Sequence, residues 1–214
     1  MKNSGSIYVR FFKRVIDVVL SGLALIVLSP VLLILAIWIK LDSKGPVLFK
    51  QKRVGKNKKL FNILKFRTMR TDAPHDMPTH MLKDPAAFIT KSGHFLRKTS
   101  LDELPQIWNI FVGQMSIIGP RPALWNQDDL IAERDKYGAN DVLPGLTGWA
   151  QINGRDELEI DVKAKLDGEY VQKMSFAMDV KCFIGTVVSV LKHDGVVEGG
   201  TGAMKDNNGK AVEK

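Results

Sequence analysis

The chain has 214 residues, of which 45% are hydrophobic and 25% charged, so it is long enough for a substantial core and its composition excludes a largely disordered protein. A single cysteine, Cys182, excludes an internal disulfide framework and a multi-cysteine metal site. The net charge is +8, and residues 40–70 hold eleven basic residues against one acid, Asp42. This basic block predicts a polyanionic partner: nucleic acid, a phosphorylated substrate or an anionic membrane.

The first predicted element is an apolar segment at residues 18–39, which contains 22 residues without a charge. As a helix it would be about 33 Å long, enough to cross a bilayer core. No signal-peptide cleavage pattern follows it, so we expect a retained membrane segment. Basic residues lie on both sides, and the positive-inside rule would place both flanks in the cytoplasm, which a re-entrant hairpin allows. A kinked helix that spans the bilayer is the alternative, and the residues leave the two equally open.

Ser29-Pro30 lies in the middle of this segment. Proline removes a backbone hydrogen bond and clashes with the preceding turn, so we predict a break or kink here. The serine hydroxyl could satisfy the carbonyl that the proline leaves free. Asp17, at the edge of the segment, needs a partner, and Arg14 is on the same helical face.

The basic block that follows predicts a β-hairpin, with arms at 47–51 and 60–66 around the turn sequence "GKNKK". Residues 71–92 read as a loop with a short helix near 85–89. This loop contains His75 and His80, but the neighbouring Pro74 and Pro78 favour a surface loop over a metal site.

The second half of the chain is predicted to be mainly helical. We expect helices at 104–112, at 130–137 before Gly138, and at 161–174, with loops at 113–124 and 143–155. From Phe176 to Lys192 the apolar residues form one helical stripe, which could face the core or rest on a membrane. The tail from Glu198 is predicted to be disordered.

The acidic pair Asp102-Glu103 allows two interpretations. Ser100 and Glu103 have the spacing of a capping box. However, a helix capped by Ser100 would place Pro105 in its interior, whereas Pro105 fits better as the first helical residue. The pair would then lie at the mouth of a helix, where basic residues from several loops could hold a phosphate against a carboxylate nucleophile.

Five ordered motifs together resemble the bacterial sugar transferase family, the monotopic phosphoglycosyl transferases. They are "KRVIDVVL", the "SP" within the apolar segment, "LDSKGPVLFKQKRVGKNKKLFNILKFRTM", "LRKTSLDELPQIWNIFVGQMSIIGPRPAL" and "LPGLTGWAQINGR". The similarity extends from about Lys13 to Leu191. It implies the minimal catalytic form of the family, without the additional N-terminal membrane bundle of larger members.

The resemblance implies a reaction and a site. Asp102 and Glu103 would be the catalytic dyad, with Asp102 attacking the β-phosphate of a UDP-sugar, releasing UMP and forming a covalent phosphosugar intermediate. A polyprenol phosphate, such as undecaprenyl phosphate, would accept the sugar phosphate. Mg²⁺ would be the cofactor, beside Asp102. The implied substrate-binding residues are Arg97, Arg121, Arg155, Lys65 and Arg67.

The resemblance also implies an architecture. The fold would be α+β and mostly helical, with a re-entrant membrane hairpin at residues 1–40, broken at Ser29 and Pro30. A catalytic domain with a small β-hairpin would occupy residues 41–197, and residues 198–214 would form the tail. The protein would be monotopic on the cytoplasmic face of the bacterial inner membrane.

Two other function classes remain as hypotheses. A membrane-tethered scaffold would use the basic block to bind anionic lipid. A nucleic-acid binder would use the same block to contact phosphates, but the membrane segment argues against it. So do Phe49, Phe61 and Phe66, which fall at apolar positions of the hairpin rather than at stacking positions.

Overall fold

The computed structural model describes residues 6–73, 86–154 and 158–192. Within them the α-helices are α1 (Lys13–Asp42), α2 (Lys91–Lys98), α3 (Gln106–Phe111), α4 (Asp128–Asp135), α5 (Trp149–Ile152), α6 (Ile160–Lys173) and α7 (Phe176–Lys192). The strands are β1 (Leu48–Val54), β2 (Leu60–Phe66), β3 (Ser116–Ile118) and β4 (Gly145–Thr147). A π-helical turn, Tyr8–Phe12, leads into α1. The predicted α+β, mostly helical class agrees with this architecture.

The apolar segment forms a helix that is long and apolar enough to cross a membrane. It does not end at the predicted break, because α1 continues through Pro30 to Asp42. The hydroxyl of Ser29 donates a hydrogen bond of 2.8 Å to the carbonyl of Ile26, the group that the missing N–H of Pro30 would otherwise leave without its helical partner. The predicted role of the serine hydroxyl is confirmed.

The N-terminal end of α1 is fixed to two elements of the globular part. Arg14 donates to the carbonyl oxygens of Ile110 and Phe111 at the end of α3, at 2.7 and 2.8 Å. Asp17 is buried, and its Oδ1 accepts a hydrogen bond from the backbone N–H of Ile117 at 2.9 Å. The expected pairing of Asp17 with Arg14 is therefore wrong as a direct contact, because α3 supplies better-placed acceptors for the guanidinium.

The C-terminal end of α1 packs on the same globular part. Asp42 accepts hydrogen bonds from the N–H and the hydroxyl of Ser92 at the start of α2, at 2.9 and 2.8 Å. One turn earlier, α1 contributes to a buried cluster of four residues, Leu35, Ile39, Phe66 and Leu96. Both ends of the membrane-length helix are thus held by one folded unit.

The predicted hairpin is present. β1 and β2 pair antiparallel, with Leu48 opposite Phe66 and Val54 opposite Leu60. The second arm lies where it was predicted, and the first extends three residues further than expected, to Val54. The side-chain amide of Asn109 pairs with the free edge of β2: it accepts from Leu64 N–H and donates to Asn62 C=O, both at 2.9 Å.

Two segments predicted as loops contain a small parallel sheet. β3 pairs with β4, with Ser116 opposite Gly145 and Ile118 opposite Thr147. The glycines that suggested a loop instead allow close backbone approach: a Cβ on Gly145 would lie 2.1 Å from the nitrogen of Gly119. The loop prediction is wrong here because three residues per strand give little periodicity to detect.

The long C-terminal helices agree with prediction to within one residue, and Gly138 follows α4 with a positive φ of 67°. The buried residues on α7 include Met178, Asp179 and Cys182. Its apolar stripe points outward, and six of its residues are exposed: Phe176, Val180, Phe183, Ile184, Val187 and Val188. The stripe is therefore not core.

A buried polar network joins α7 to the N-terminal segment. The carboxylate of Asp179 accepts hydrogen bonds from Tyr8 and Tyr170 at 2.6 and 2.7 Å and forms an ion pair with Lys13 at 2.6 Å. Because the aspartate is buried, this partnering offsets the cost of removing its charge from water. The network holds α7 beside the start of α1.

Candidate active site

The acidic pair lies in a single 3₁₀ turn, Leu101–Glu103, that connects α2 to α3. The capping-box interpretation is wrong, because Ser100 adopts a left-handed conformation (φ 55°) and its side chain makes no capping bond. Pro105 has helical dihedral angles and directly precedes Gln106, the first residue of α3. The predicted position of Pro105 at the helix start is thus correct to within one residue.

Glu103 is held by two cations. Lys65, on β2, donates to Oε1 at 2.8 Å, and Arg121 donates to Oε1 at 2.6 Å and to Oε2 at 3.4 Å. Burial alone would raise the pKa of this carboxyl, but the charges of Arg121 and Lys65 outweigh burial and hold the pKa well below its ordinary value. Glu103 is therefore ionised, and its carboxylate is paired with Lys65 and Arg121.

Asp102 differs from its neighbour in its hydrogen bonding and in the direction of its pKa shift. Among the residues the structure describes, none donates a hydrogen bond to its carboxylate. Burial raises its pKa, Lys65 opposes this effect, Glu103 adds to it, and Arg97 and Arg121 oppose it. The net direction is upward. A partly exposed carboxylate that accepts no hydrogen bond from the described residues and has three cations nearby has the features of a carboxylate nucleophile.

Arg97 approaches the dyad from the end of α2. Its Nε donates to the hydroxyl of Thr68 at 2.9 Å. Burial lowers the pKa of its guanidinium, and the attraction of Asp102 opposes that shift. The sequence analysis did not identify Thr68. Its position directly after Arg67, just beyond the end of β2, could have indicated it.

Arg67 lies elsewhere. Its buried guanidinium donates to the carbonyls of Lys44 and Ser43, and to the hydroxyl of Ser43 at 2.9 Å. These are the residues that follow α1, so the side chain satisfies carbonyl groups at the C-terminal end of the helix. The structure does not bring Arg67 to the dyad, in contrast to Lys65, two positions earlier. Alternating strand residues share a face, but Arg67 follows the last residue of β2.

Arg155, which the resemblance assigned to substrate binding, lies outside the described residues. The loop histidines His75 and His80, for which a surface loop was predicted, also lie outside them. Among the residues that are described, no three His, Cys, Asp or Glu side chains converge as a metal site. Asp102 is the carboxylate at the dyad that remains available to an ion, since Glu103 is bound by Lys65 and Arg121.

The dyad turn is attached to the membrane-length helix. Leu101 and Leu104, on either side of the pair, pack against the cluster formed with the C-terminal half of α1: Leu35, Ile39, Phe66 and Leu96. The site thus combines a carboxylate with a raised pKa, several cations and an adjacent apolar helix.

Comparison with known proteins agrees with this combination. Residues 8–193 match the family model described as bacterial sugar transferase, and the chain therefore belongs to that family. It is 41% identical over 192 residues to the UDP-glucose:undecaprenyl-phosphate glucose-1-phosphate transferase of Escherichia coli, covering 83% of this chain and 40% of the relative.

Two further relatives show how the match varies in extent. The exopolysaccharide production protein of Rhizobium leguminosarum bv. phaseoli is 42% identical over 193 residues, or 84% of this chain and 94% of the relative. The undecaprenyl-phosphate galactose phosphotransferase of Salmonella typhimurium is 34% identical over 201 residues, or 87% and 42%. The chain spans about two fifths of the length of several of the relatives that it matches.

Proposed function

We propose that the protein transfers a sugar 1-phosphate from a UDP-sugar to a polyprenol phosphate, with Asp102 as a covalent nucleophile. The observation that carries the proposal is the contrast within the dyad: Glu103 is bound by Lys65 and Arg121, while Asp102 accepts no hydrogen bond from the described residues. Relatives named as transferases or phosphotransferases acting with undecaprenyl phosphate support the reaction class.

The proposed reaction proceeds by two successive displacements at the β-phosphorus of the UDP-sugar. A carboxylate oxygen of Asp102 attacks the β-phosphorus of the UDP-sugar; the bond from that phosphorus to the bridging oxygen breaks, and UMP leaves. A phosphate oxygen of the polyprenol phosphate then attacks the same phosphorus and releases the Asp102 carboxylate. The product is a polyprenyl diphosphate sugar, and no proton has to be removed from the attacking carboxylate.

The cations have separate roles in this proposal. Arg97 and Arg121 would bind the diphosphate and offset the charge that repels an incoming carboxylate. Lys65 and Arg121 are positioned by Glu103, which makes Glu103 an orienting group rather than the nucleophile. Arg155 belongs to the proposed site through the family resemblance alone.

Mg²⁺ is the proposed cofactor. This ion is usually held by one or two carboxylates together with water and substrate phosphates. The carboxylate of Asp102, which accepts no hydrogen bond from the described residues, fits that donor set. When bound, the ion would neutralise part of the diphosphate charge and polarise the phosphoryl oxygens.

We further propose that α1 is re-entrant and that the protein lies on the cytoplasmic face of the bacterial inner membrane. Three observations support this: both ends of α1 contact the same folded unit, Ser29-Pro30 lies between them, and both flanks are basic. The proposed division is a membrane hairpin at 1–40 and a catalytic domain at 41–197. The exposed apolar stripe of α7 would rest on the bilayer surface.

The first test is intact-protein mass spectrometry of the detergent-purified protein with Mg²⁺ and a panel of UDP-sugars, without lipid acceptor. Wild type should gain the mass of one phosphosugar, and Asp102→Asn, which keeps the shape but not the nucleophile, should gain none. With polyprenol phosphate added, labelled sugar phosphate should appear on lipid as UMP is released. Release of UDP instead would refute the proposed reaction.

A further inference from the structure

An aromatic pair lies beside the apolar cluster that supports the dyad turn. The rings of Trp38, on α1, and Phe95, on α2, have centroids 5.4 Å apart and planes inclined by 55°. Their side chains are 38% and 46% exposed, whereas the residues that follow them, Ile39 and Leu96, are fully buried in the cluster. We call Trp38 and Phe95 the aromatic rim.

The rim lies between the exposed apolar surface of α1 and the cluster that supports the dyad turn. Leu101 and Leu104, which flank the dyad, pack against the same cluster that contains Ile39 and Leu96. On the other side, the neighbouring α1 residues are widely exposed apolar side chains: Leu33, Ile34, Ile37 and Leu41. An apolar chain lying on this part of α1 would therefore reach the rim before the dyad.

Charges around the rim suit an anionic amphiphile. Lys91 and Lys98 are exposed and lie about one turn before and after Phe95 on the same face of α2. Arg97 extends from another face of the helix toward Thr68 and influences Asp102. A molecule with an apolar tail and a phosphate head would meet aromatic surface first and cations next.

We propose that the aromatic rim binds the isoprenoid chain of the lipid phosphate acceptor and guides its phosphate to Asp102. The inference rests on the proposed function and adds to it a binding site for the tail. The reaction requires the tail to stay in apolar surroundings while the phosphate reaches the dyad. The rim lies beside the cluster against which the residues flanking the dyad pack. Flat aromatic rings also offer a large contact area to a methyl-branched, unsaturated chain.

The test compares two aromatic pairs of the same composition. The rim variant is Trp38→Ala/Phe95→Ala. The control is Trp108→Ala/Phe111→Ala on α3, whose rings are 5.9 Å apart and whose side chains are 49% and 37% exposed. The control pair lies near Gly22, in the N-terminal half of α1, and not at the dyad cluster.

The two half-reactions are measured separately in nanodiscs. For the rim variant, adduct formation from the UDP-sugar should stay within about twofold of wild type, while the KM for polyprenol phosphate rises about tenfold, equivalent to about 1.4 kcal/mol. The control should leave that KM within about twofold. An equal rise in both variants would indicate general bilayer contact and overturn the proposal, as would no rise in the rim variant. Loss of adduct formation would assign the pair to support of the dyad instead.

A binding measurement keeps the test independent of turnover. A diazirine-tagged polyprenyl phosphate should label peptides that contain the rim in Asp102→Asn, which cannot react. Untagged polyprenyl phosphate should displace the label, and phosphatidic acid at the same concentration should not. Equal displacement by both lipids would overturn the proposal. If wild type forms no adduct but the rim is labelled, the proposed reaction fails while the lipid site remains.

Discussion

The carboxylate of Asp17 in the membrane-length helix accepts a hydrogen bond from the backbone N–H of Ile117 in β3, at 2.9 Å. Four residues beyond Ile117 is Arg121, which binds Glu103 of the dyad. The membrane-length helix is therefore linked to the dyad turn through one partly buried hydrogen bond and one short strand.

This link predicts a graded effect of substitution. Asp17→Ala leaves the partly buried N–H of Ile117 without its acceptor, which costs up to about 1–3 kcal/mol, so the melting temperature in detergent should fall. Asp17→Asn keeps an oxygen acceptor and should retain most of the stability. Differential scanning fluorimetry of both variants measures this. Equal loss in both would show that the charge, and not the hydrogen bond to Ile117, stabilises the contact.

The raised pKa of Asp102 predicts the pH dependence of adduct formation. The nucleophile must be ionised, so the single-turnover rate should fall as pH decreases through a pKa above the ordinary aspartate value of about 3.9. Quenched-flow mass spectrometry across pH gives the profile, with circular dichroism showing that the protein stays folded. A rate unchanged down to about pH 4 would contradict the upward shift.

The same shift predicts that Asp102→Asn is more stable than wild type at neutral pH. An acid whose folded pKa is raised stabilises the fold at low pH, and this contribution is lost as pH rises through the folded pKa. At neutral pH, Asp102→Asn should therefore raise the melting temperature, by about 2–4 °C for each kcal/mol relieved. A lower melting temperature would mean that attraction to the neighbouring cations outweighs burial.

Glu103 should behave in the opposite way. Its lowered pKa means that it stabilises the fold above the unfolded glutamate value of about 4.3, and that this contribution is lost as pH falls toward the folded pKa. At neutral pH, Glu103→Gln should lower the melting temperature by about 4 °C or more, because Lys65 and Arg121 lose their partner. The control is Glu133→Gln, which removes the surface ion pair with Lys136 and should change the melting temperature by less than about 2 °C.

Substitutions of Arg67 and Arg97 should affect different properties: the first the stability of the fold, the second the binding of the UDP-sugar. Lysine cannot reproduce the several hydrogen bonds of the Arg67 guanidinium to Ser43 and Lys44, so Arg67→Lys should lower the melting temperature. Arg97→Lys should instead raise the KM for the UDP-sugar. Thermal melts and donor titrations of both variants measure this. A higher donor KM in Arg67→Lys at unchanged stability would return Arg67 to the substrate site.

The re-entrant proposal predicts labelling from one side of the membrane. Single cysteines at Ser6→Cys and Lys44→Cys should both react with a membrane-impermeant maleimide in inverted vesicles, and neither should react in intact spheroplasts. The native Cys182 is fully buried and provides an unlabelled background. In Ser29→Ala/Pro30→Ala the two positions should partly separate to opposite sides. Opposite-side labelling in the unmodified segment would establish a spanning helix.

Several elements of this protein could be predicted from short stretches of sequence alone. The charge-free run before Lys40 determined a membrane-length helix, because its hydrophobicity does not depend on long-range contacts. The position of Pro105 excluded a long helix through the acidic pair for a steric reason that acts within one turn. The turn sequence "GKNKK" and the apolar runs beside it specified the hairpin in the same way.

Tertiary structure decided what depends on contacts between distant residues. Asp102 and Glu103 are adjacent and chemically similar, yet only Glu103 receives Lys65 and Arg121, which lie 38 and 18 residues away in sequence. The strands β3 and β4 are too short to show periodicity and exist because glycines let their backbones meet. Arg67 and Lys65 have the same charge but bind different partners. Arg67 binds the residues that follow α1, and Lys65 binds Glu103 in the dyad. Lys65 lies within β2 and Arg67 follows its last residue, so the two side chains need not share a face.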